Sequence, residues 1–209
     1  MPQGENSATE VGPEARVGTV THEEHVALLR GGVPAGAGGA WADLGSGRGA
    51  FTLALADLLG PSGVIHSVDR DAAALRDQER AMRASFPDAV VHYHLGDFTR
   101  RLPLSHLDGL VIANALHFVA APEPVVERLS EYVRPGGRIV LVEYDAERGN
   151  AWVPHPISLR RWSELAGASG LVGARRLAGR PSRFLGEIYS ALAFVPGGDV
   201  SRFTLPNGC

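Results

Sequence analysis

From Ala40 onward short apolar runs alternate with amphipathic stretches, and that alternation constrains the fold more than any other feature of the chain. Short apolar runs bounded by turn residues are strand signals, whereas apolar positions recurring at i, i+4 and i+7 mark one face of a helix. Ala40 to Leu44, Val64 to Val68, Ala89 to Leu95, Leu110 to Ala113 and Ile139 to Val142 read as five strands. Between them lie helical patterns carried by Phe51, Leu55, Leu58 and Leu59, by Leu75, Met82 and Phe86, and by Val125, Val126, Leu129 and Val133. A further helix follows Ser158, and the final runs, Ala174 to Leu177 and Glu187 to Val195, succeed each other with no helix between. Strands alternating with helices build parallel sheets. The expected fold is therefore α/β: a doubly wound seven-stranded sheet, mostly parallel, with an antiparallel C-terminal edge strand.

A chain of 209 residues suits one domain. Residues 40–195 hold the sheet, and residues 196–209 form a tail. Residues 1–39 read as an N-terminal arm. In it Thr21 and Glu24 form a capping box that opens a helix through Val26 and Leu29, and the Gly/Ala-rich stretch Val33 to Gly39 has the composition of a flexible linker. A capped helix on such a tether has the form of a mobile lid; a helix docked permanently on the sheet edge, or one used in a dimer contact, are the alternatives.

Absences exclude much chemistry. All twenty basic residues are arginine, so a Schiff-base lysine and a GxxxxGK phosphate loop are ruled out. The one cysteine is Cys209, which removes disulfide frameworks and cysteine-rich zinc sites. A net charge of −3 with scattered arginines gives no nucleic-acid footprint. No apolar run approaches the ~18 residues that span a bilayer. Met1 to Val20 contain no hydrophobic signal core. The expectation is a cytoplasmic protein acting away from membranes.

Ligands of open α/β sheets bind beyond the carboxyl ends of the strands. Strand one is followed by Asp43-Leu-Gly45-Ser46-Gly47-Arg-Gly49, whose glycines allow a sharp turn and a close approach of backbone to ligand. Strand two ends at Asp69, followed by Arg70, and a carboxylate about twenty residues beyond a glycine loop can hold both hydroxyls of a ribose. Gly45, Gly47 and Ala50 also satisfy a loose GxGxx(G/A) pattern, so a nicotinamide-dependent oxidoreductase is an alternative. An acid beside the loop would repel a pyrophosphate, however, and Asp43 could instead pair with an ammonium group. A cofactor with an amino-acid end and a ribose end fits better.

From about Trp41 to Val195 the chain resembles the class I S-adenosylmethionine-dependent methyltransferases, which implies a Rossmann-like sheet and S-adenosyl-L-methionine as cofactor. Asp43 to Gly49 is similar to the family's first motif and Asp69 to its ribose-binding acid. Gly96-Asp97-Phe98 is similar to the segment that reads the adenine amine, and Asn114-Ala-Leu-His117 to the segment at the methyl-transfer site. Arg134-Pro-Gly-Gly-Arg138 is similar to the turn before the fifth strand. The resemblance implies that Asp43, Gly45, Ser46, Gly47, Gly49, Asp69, Arg70, Gly96, Asp97, Phe98 and Asn114 bind the cofactor, with Arg70 over the adenine face.

The Asn/Asp-Pro-Pro-aromatic signature of base and glutamine methylation is absent, since Ala-Leu-His follows Asn114. Cytosine-C5 and arsenic methylation would need cysteines. Little chain is left to build an acceptor site beyond the arm, the Leu116–Pro124 loop and the connection from Tyr144 to Pro156, which carries Trp152 and His155. A small organic acceptor is expected, methylated on oxygen, nitrogen or carbon, with a protein acceptor as an alternative. His117 and Tyr144 are the candidate catalytic residues, each open to a packing role instead. His92 and His94 share a strand face but lack a third ligand, so no metal is expected. A cofactor-binding protein without turnover is the remaining alternative.

Overall fold

In the computed structural model, residues 20–197 are described. The tail beyond residue 197 and the first part of the arm therefore lie outside the described residues.

The pattern of apolar runs translates into α1 (His22–Leu29), β1 (Gly39–Leu44), α2 (Ala50–Leu59), β2 (Gly63–Asp69), α3 (Ala72–Ser85), β3 (Val90–Leu95), β4 (Leu107–Ala113), α4 (Glu123–Tyr132), β5 (Val133–Tyr144), α5 (Leu159–Ala168), β6 (Val172–Pro181) and β7 (Glu187–Phe194). The seven strands form one sheet in the order β3-β2-β1-β4-β5-β7-β6. Strands β1 to β5 are mutually parallel, and β7 runs antiparallel to both of its neighbours.

Alternation along the central strands divides the core in two. Trp41, Ile65, Val111 and Val140 pack under α1, α2 and α3. Ala42, Leu44, Leu110, Ile112 and Leu141 pack under α4 and α5. Central strands covered on both faces need continuous apolar runs, which is why β1, β4 and β5 were legible as such.

Two details depart from the sequence reading. Strand β5 starts at Val133, which pairs with Leu107 before the register shifts to Gly109 opposite Arg138. The Pro135-Gly136-Gly137 turn therefore ends α4 and also lies inside a strand. The antiparallel strand β7 sits one place in from the edge, and β6 is the edge. Burial explains the order: Ile188 to Ala193 are all buried, whereas β6 carries Arg175, Arg176 and Arg180 and is largely exposed. Charged residues suit an edge.

Helix α1 forms with the expected capping box, Glu24 N–H donating to Thr21 Oγ1 and Thr21 N–H to Glu24. It does not stand off as a tethered lid. Val26, Leu28 and Leu29 are buried, and Val33 in the linker is 1 % exposed. The linker amides of Gly36 and Gly38 donate to the carbonyls of Leu58 and Leu59 at 2.7 and 3.2 Å. Arg180 of β6 pairs with Glu24 at 3.0 Å, and Arg138 donates to the Gly32 carbonyl at 3.2 Å. Three buried apolar side chains on an eight-residue helix need a permanent partner, and α2 with the sheet supplies it. The arm helix is thus a layer of the domain.

Removing one of these side chains should accordingly destabilise the whole fold. Leu29→Ala is expected to lower stability by about 2–5 kcal/mol, the cost of a large-to-small core change, as read by urea denaturation of the ligand-free chain. A loss under about 0.5 kcal/mol, usual for surface changes, would restore the tethered lid.

Candidate active site at the switch point

The chain leaves β1 for β2 on one side and returns in β4 on the other, so the crevice of the sheet opens above β1 and β4. A cleft of about 490 Å³ lies there. Gly45, Gly47, Asp69, Arg70, Gly96, Asp97, Phe98 and Asn114 line it, joined by Asp71, Thr99, Ala115, Phe118 and Val119. Asp43, Ser46, Gly49, His117 and Tyr144 are not among the lining residues.

The glycine loop is shaped by its neighbours. Gly45 has φ +73°, and a Cβ on it would lie 2.6 Å from Ala115 Cβ. Only glycine lets this turn approach the segment after β4 so closely. The Gly47 amide donates to Asp69 Oδ2 at 2.7 Å, and Asp69 Oδ1 accepts from the Asp71 amide at 2.8 Å. Each oxygen keeps a second acceptor direction. Asp97 forms a local turn, its Oδ1 accepting from the Thr99 amide at 2.9 Å and hydroxyl at 2.7 Å. These bonds, that from the hydroxyl above all, hold its carboxyl below the usual range. Arg70 is exposed at the rim.

Asp43 is in a different environment, 1 % exposed beneath the loop. Its Oδ2 accepts from Thr52 Oγ1 at 2.6 Å, while Oδ1 is buried with no hydrogen-bond partner. Burial pushes this carboxyl up to about 7, against the Thr52 hydrogen bond, with the Asp69 charge adding to the rise. Asn114, at the end of β4, is a non-glycine residue with φ +50°, and its Oδ1 is likewise buried and unpartnered. Left-handed backbone at an asparagine is uncommon and is held here by the Asn114 amide donating to the Val142 carbonyl at 2.8 Å. Buried acceptors without donors are rare in native proteins, and each calls for an explanation. Two of them near the strand ends that form this crevice fit a ligand carrying a cationic N–H group.

His117 is 3 % exposed. Its Nδ1 lies 2.8 Å from Glu143 Oε2, and its backbone amide donates to Glu143 Oε1 at 3.1 Å. An ionised carboxylate only accepts, so Nδ1 is the donor in this contact, and in the neutral ring Nε2 is then the acceptor. Glu143, 0 % exposed in β5, was not singled out in the sequence. An acidic residue in an otherwise apolar strand was the available signal. The Tyr144 ring meets that of His117 edge-on, with centroids 5.4 Å apart. Burial, then the neighbouring Glu143 charge, push the Tyr144 phenol above its ordinary value. The Phe118 ring lies 4.2 Å from His117 and is 62 % exposed, linking the histidine to the cleft it lines. The connection after β5 reaches this side too, since the His155 amide donates to the His117 carbonyl at 3.0 Å. Trp152 is 70 % exposed and faces Phe184 at 6.3 Å.

His92 and His94 do share a face, and His66 of β2 joins them, its Nδ1 lying 3.1 Å from His94 Nε2. Among the described residues no group of three His, Cys, Asp or Glu side chains is placed to hold a metal ion. No described helix is long and apolar enough to cross a membrane.

Comparison with known proteins agrees with this architecture. A family model described as a methyltransferase domain matches residues 37–167. No curated protein matches the chain. Among solved structures, a SAM-dependent methyltransferase from Aquifex aeolicus is similar at 17 % identity and a TM-score of 0.62, over 80 % of this chain and 87 % of that one. The YcgJ protein from Bacillus subtilis is similar at 13 % identity and a TM-score of 0.66, over 85 % and 100 %. A Burkholderia thailandensis 1,6-didemethyltoxoflavin-N1-methyltransferase, solved with 1,6-didemethyltoxoflavin and S-adenosylhomocysteine, is similar at 17 % identity and a TM-score of 0.59, over 76 % and 72 %. At such identities the structures speak for the fold. The family match spans more than half of the sequence, and the chain belongs to the methyltransferase-domain family, the class I S-adenosylmethionine-dependent methyltransferases.

Proposed function

We propose that this enzyme transfers the methyl group of S-adenosylmethionine to a small organic acceptor, with His117 as general base. The observation that carries the reading is the pair of buried, unpartnered oxygens, Asp43 Oδ1 and Asn114 Oδ1, near the carboxyl ends of neighbouring strands. They suit the ammonium of the cofactor's methionine end. Asp69 would hold the ribose with the acceptor directions that Gly47 and Asp71 leave open. Asp97 would take the adenine amine on Oδ2, with Phe98 and Arg70 against the ring. Gly45, Ser46, Gly47, Gly49 and Gly96 would keep the backbone close to the ligand. The bound cofactor supplies an electrophilic methyl group on a sulfonium.

The protein's part is alignment and proton handling. Holding nucleophile and methyl in line can be worth about 7–11 kcal/mol. An acceptor that keeps its proton needs a base, and His117 offers Nε2 because Glu143 occupies Nδ1. Tyr144, with its phenol raised, stays protonated at neutral pH and serves as a donor beside the histidine. The exposed rings of Phe118 and Trp152 suit a small acceptor with an apolar face. The similar Burkholderia protein is a 1,6-didemethyltoxoflavin-N1-methyltransferase, which is in keeping with this choice.

Three outcomes are expected. Asp69→Ala should weaken S-adenosylhomocysteine binding at least tenfold by calorimetry, since hydrogen bonds to charged groups are worth about 1.5–3 kcal/mol. Unchanged affinity would remove Asp69 from the site. For the second, an acid whose pKa is raised by folding makes the folded state hold the extra proton between the ordinary carboxyl range and about 7. The contribution of Asp43 to stability of the free chain is therefore most favourable at low pH and is lost as pH rises through about 7. Ligand binding should do the reverse, tightening as pH rises through that range, because the ammonium needs the ionised form. Asp43→Asn should melt higher than the parent at pH 8 while binding the ligand at least tenfold more weakly. A lower melting temperature together with parent affinity would refute the assignment. For the third, once an acceptor is known, His117→Gln should lower kcat by about 10²–10⁴-fold with cofactor affinity retained. A kcat within twofold of the parent would leave His117 a packing residue.

A further inference from the structure

Gln78 is a fully buried amide on α3, 0 % exposed and absent from the cleft lining. A polar side chain in the core is costly unless its groups are satisfied, and Gln78 is satisfied at both ends. Its Oε1 accepts from Ser67 Oγ at 2.9 Å and from Ser46 Oγ at 3.3 Å. Its Nε2 donates to Thr52 Oγ1, and the Thr52 hydroxyl donates to Asp43 Oδ2 at 2.6 Å. Asp43 and Ser67 lie opposite each other on β1 and β2, Thr52 is on α2, and Ser46 belongs to the glycine loop. The amide therefore ties together the loop, both strands and both helices that frame one end of the cleft.

The order of donors in this chain is fixed by chemistry. Thr52 has one proton, and an ionised Asp43 can only accept it. Thr52 Oγ1 must then receive a donor, which orients the amide with Nε2 toward Thr52 and Oε1 toward the two serines. Hydrogen bonds aligned in this way polarise one another, and here all point at the buried carboxylate. The same side chain accounts for Gly49: at φ +88° a Cβ there would collide with Gln78 Cγ.

We infer that Gln78 is a positioning residue for cofactor capture, holding the glycine loop in place and, through Thr52, keeping Asp43 ionised with its free oxygen available for the ammonium. The inference rests on the proposed use of Asp43. The charged group acting on Asp43 is Asp69 of β2, which opposes ionisation. Helix α2 presents the Thr52 hydroxyl to it, backed by Gln78 of α3 through Thr52, and β4 places Val111 in register beside it. Neutral hydrogen-bond donors are therefore its means of staying charged in the ligand-free chain.

The test is calorimetric titration with S-adenosylhomocysteine from pH 6 to 9 on the full chain, the Gln78→Met and Gln78→Glu variants, and Thr52→Val, with ligand-free melting temperatures measured alongside. Methionine fills the space of glutamine without its polar groups, and glutamate keeps the acceptor but loses the donor to Thr52. Each variant is expected to bind about threefold more weakly at pH 7.5 and close to tenfold more weakly at pH 6, because the pH below which affinity falls is expected to rise by about one unit, the equivalent of one tenfold change. Thr52→Val leaves Gln78 in place, so the inference remains testable if the Gln78 variants fail to fold. Folded variants with parent affinity and parent pH dependence overturn it. A loss of equal factor at every pH also overturns it, since that is loosened packing rather than a carboxyl that has taken up a proton. Failure of the parent chain itself to bind the ligand at any pH refutes the cofactor reading as a whole.

Discussion

A single buried carboxylate organises the site. Asp43 sits under the glycine loop with 1 % exposure, one hydroxyl on Oδ2 and nothing on Oδ1. Taking an ionised carboxyl out of water costs several kcal/mol even after relaxation. The fold accepts that cost at the end of its central strand, where a well-packed apolar residue would be more stable. In the proposed cofactor complex a cationic partner on the open Oδ1 would offset that cost. The surrounding polar layer, from Thr52 through Gln78 to Ser67 and Ser46, exists because a buried charge tolerates few neighbours other than oriented donors.

The acids at the other end of the cleft follow different physics. Asp69 and Asp97 are partly solvated, Asp69 accepting from the amides of Gly47 in the glycine loop and Asp71, and Asp97 from the amide and hydroxyl of Thr99 in its own turn. Their shared feature is spare acceptor capacity toward the cleft, which suits hydroxyls and an amine rather than a phosphate. A buried acid for an ammonium and half-exposed acids for neutral polar groups together match a ligand with amino-acid and nucleoside ends.

The two buried carboxylates point to different faces of the sheet. Asp43, Val111 and Val140 share the face under α2, while Glu143, an odd number of residues from Val140, points to the opposite face. The His117–Glu143 pair is joined from the Val140 face by Tyr144, whose ring meets His117, and the Phe118 ring touches His117 and lines the cleft.

The sequence by itself determined the strand and helix order and the place of the cleft at the carboxyl ends of the strands, and with the family resemblance it named eight of the cleft-lining residues. These are local facts: apolar periodicity reports which face is buried, and a glycine run after a strand reports a turn wherever it is packed. Tertiary structure decided the rest. The capping box of α1 was legible, but whether Val26 and Leu29 found a partner depended on α2 lying within reach. Strand β7, buried along its length, took the inner place and left the arginines of β6 at the edge. Gln78 on α3 and Glu143 on β5 were not singled out in the sequence. Their roles come from residues 11 to 32 positions away in the chain, and such pairings leave no period or spacing in the sequence to read.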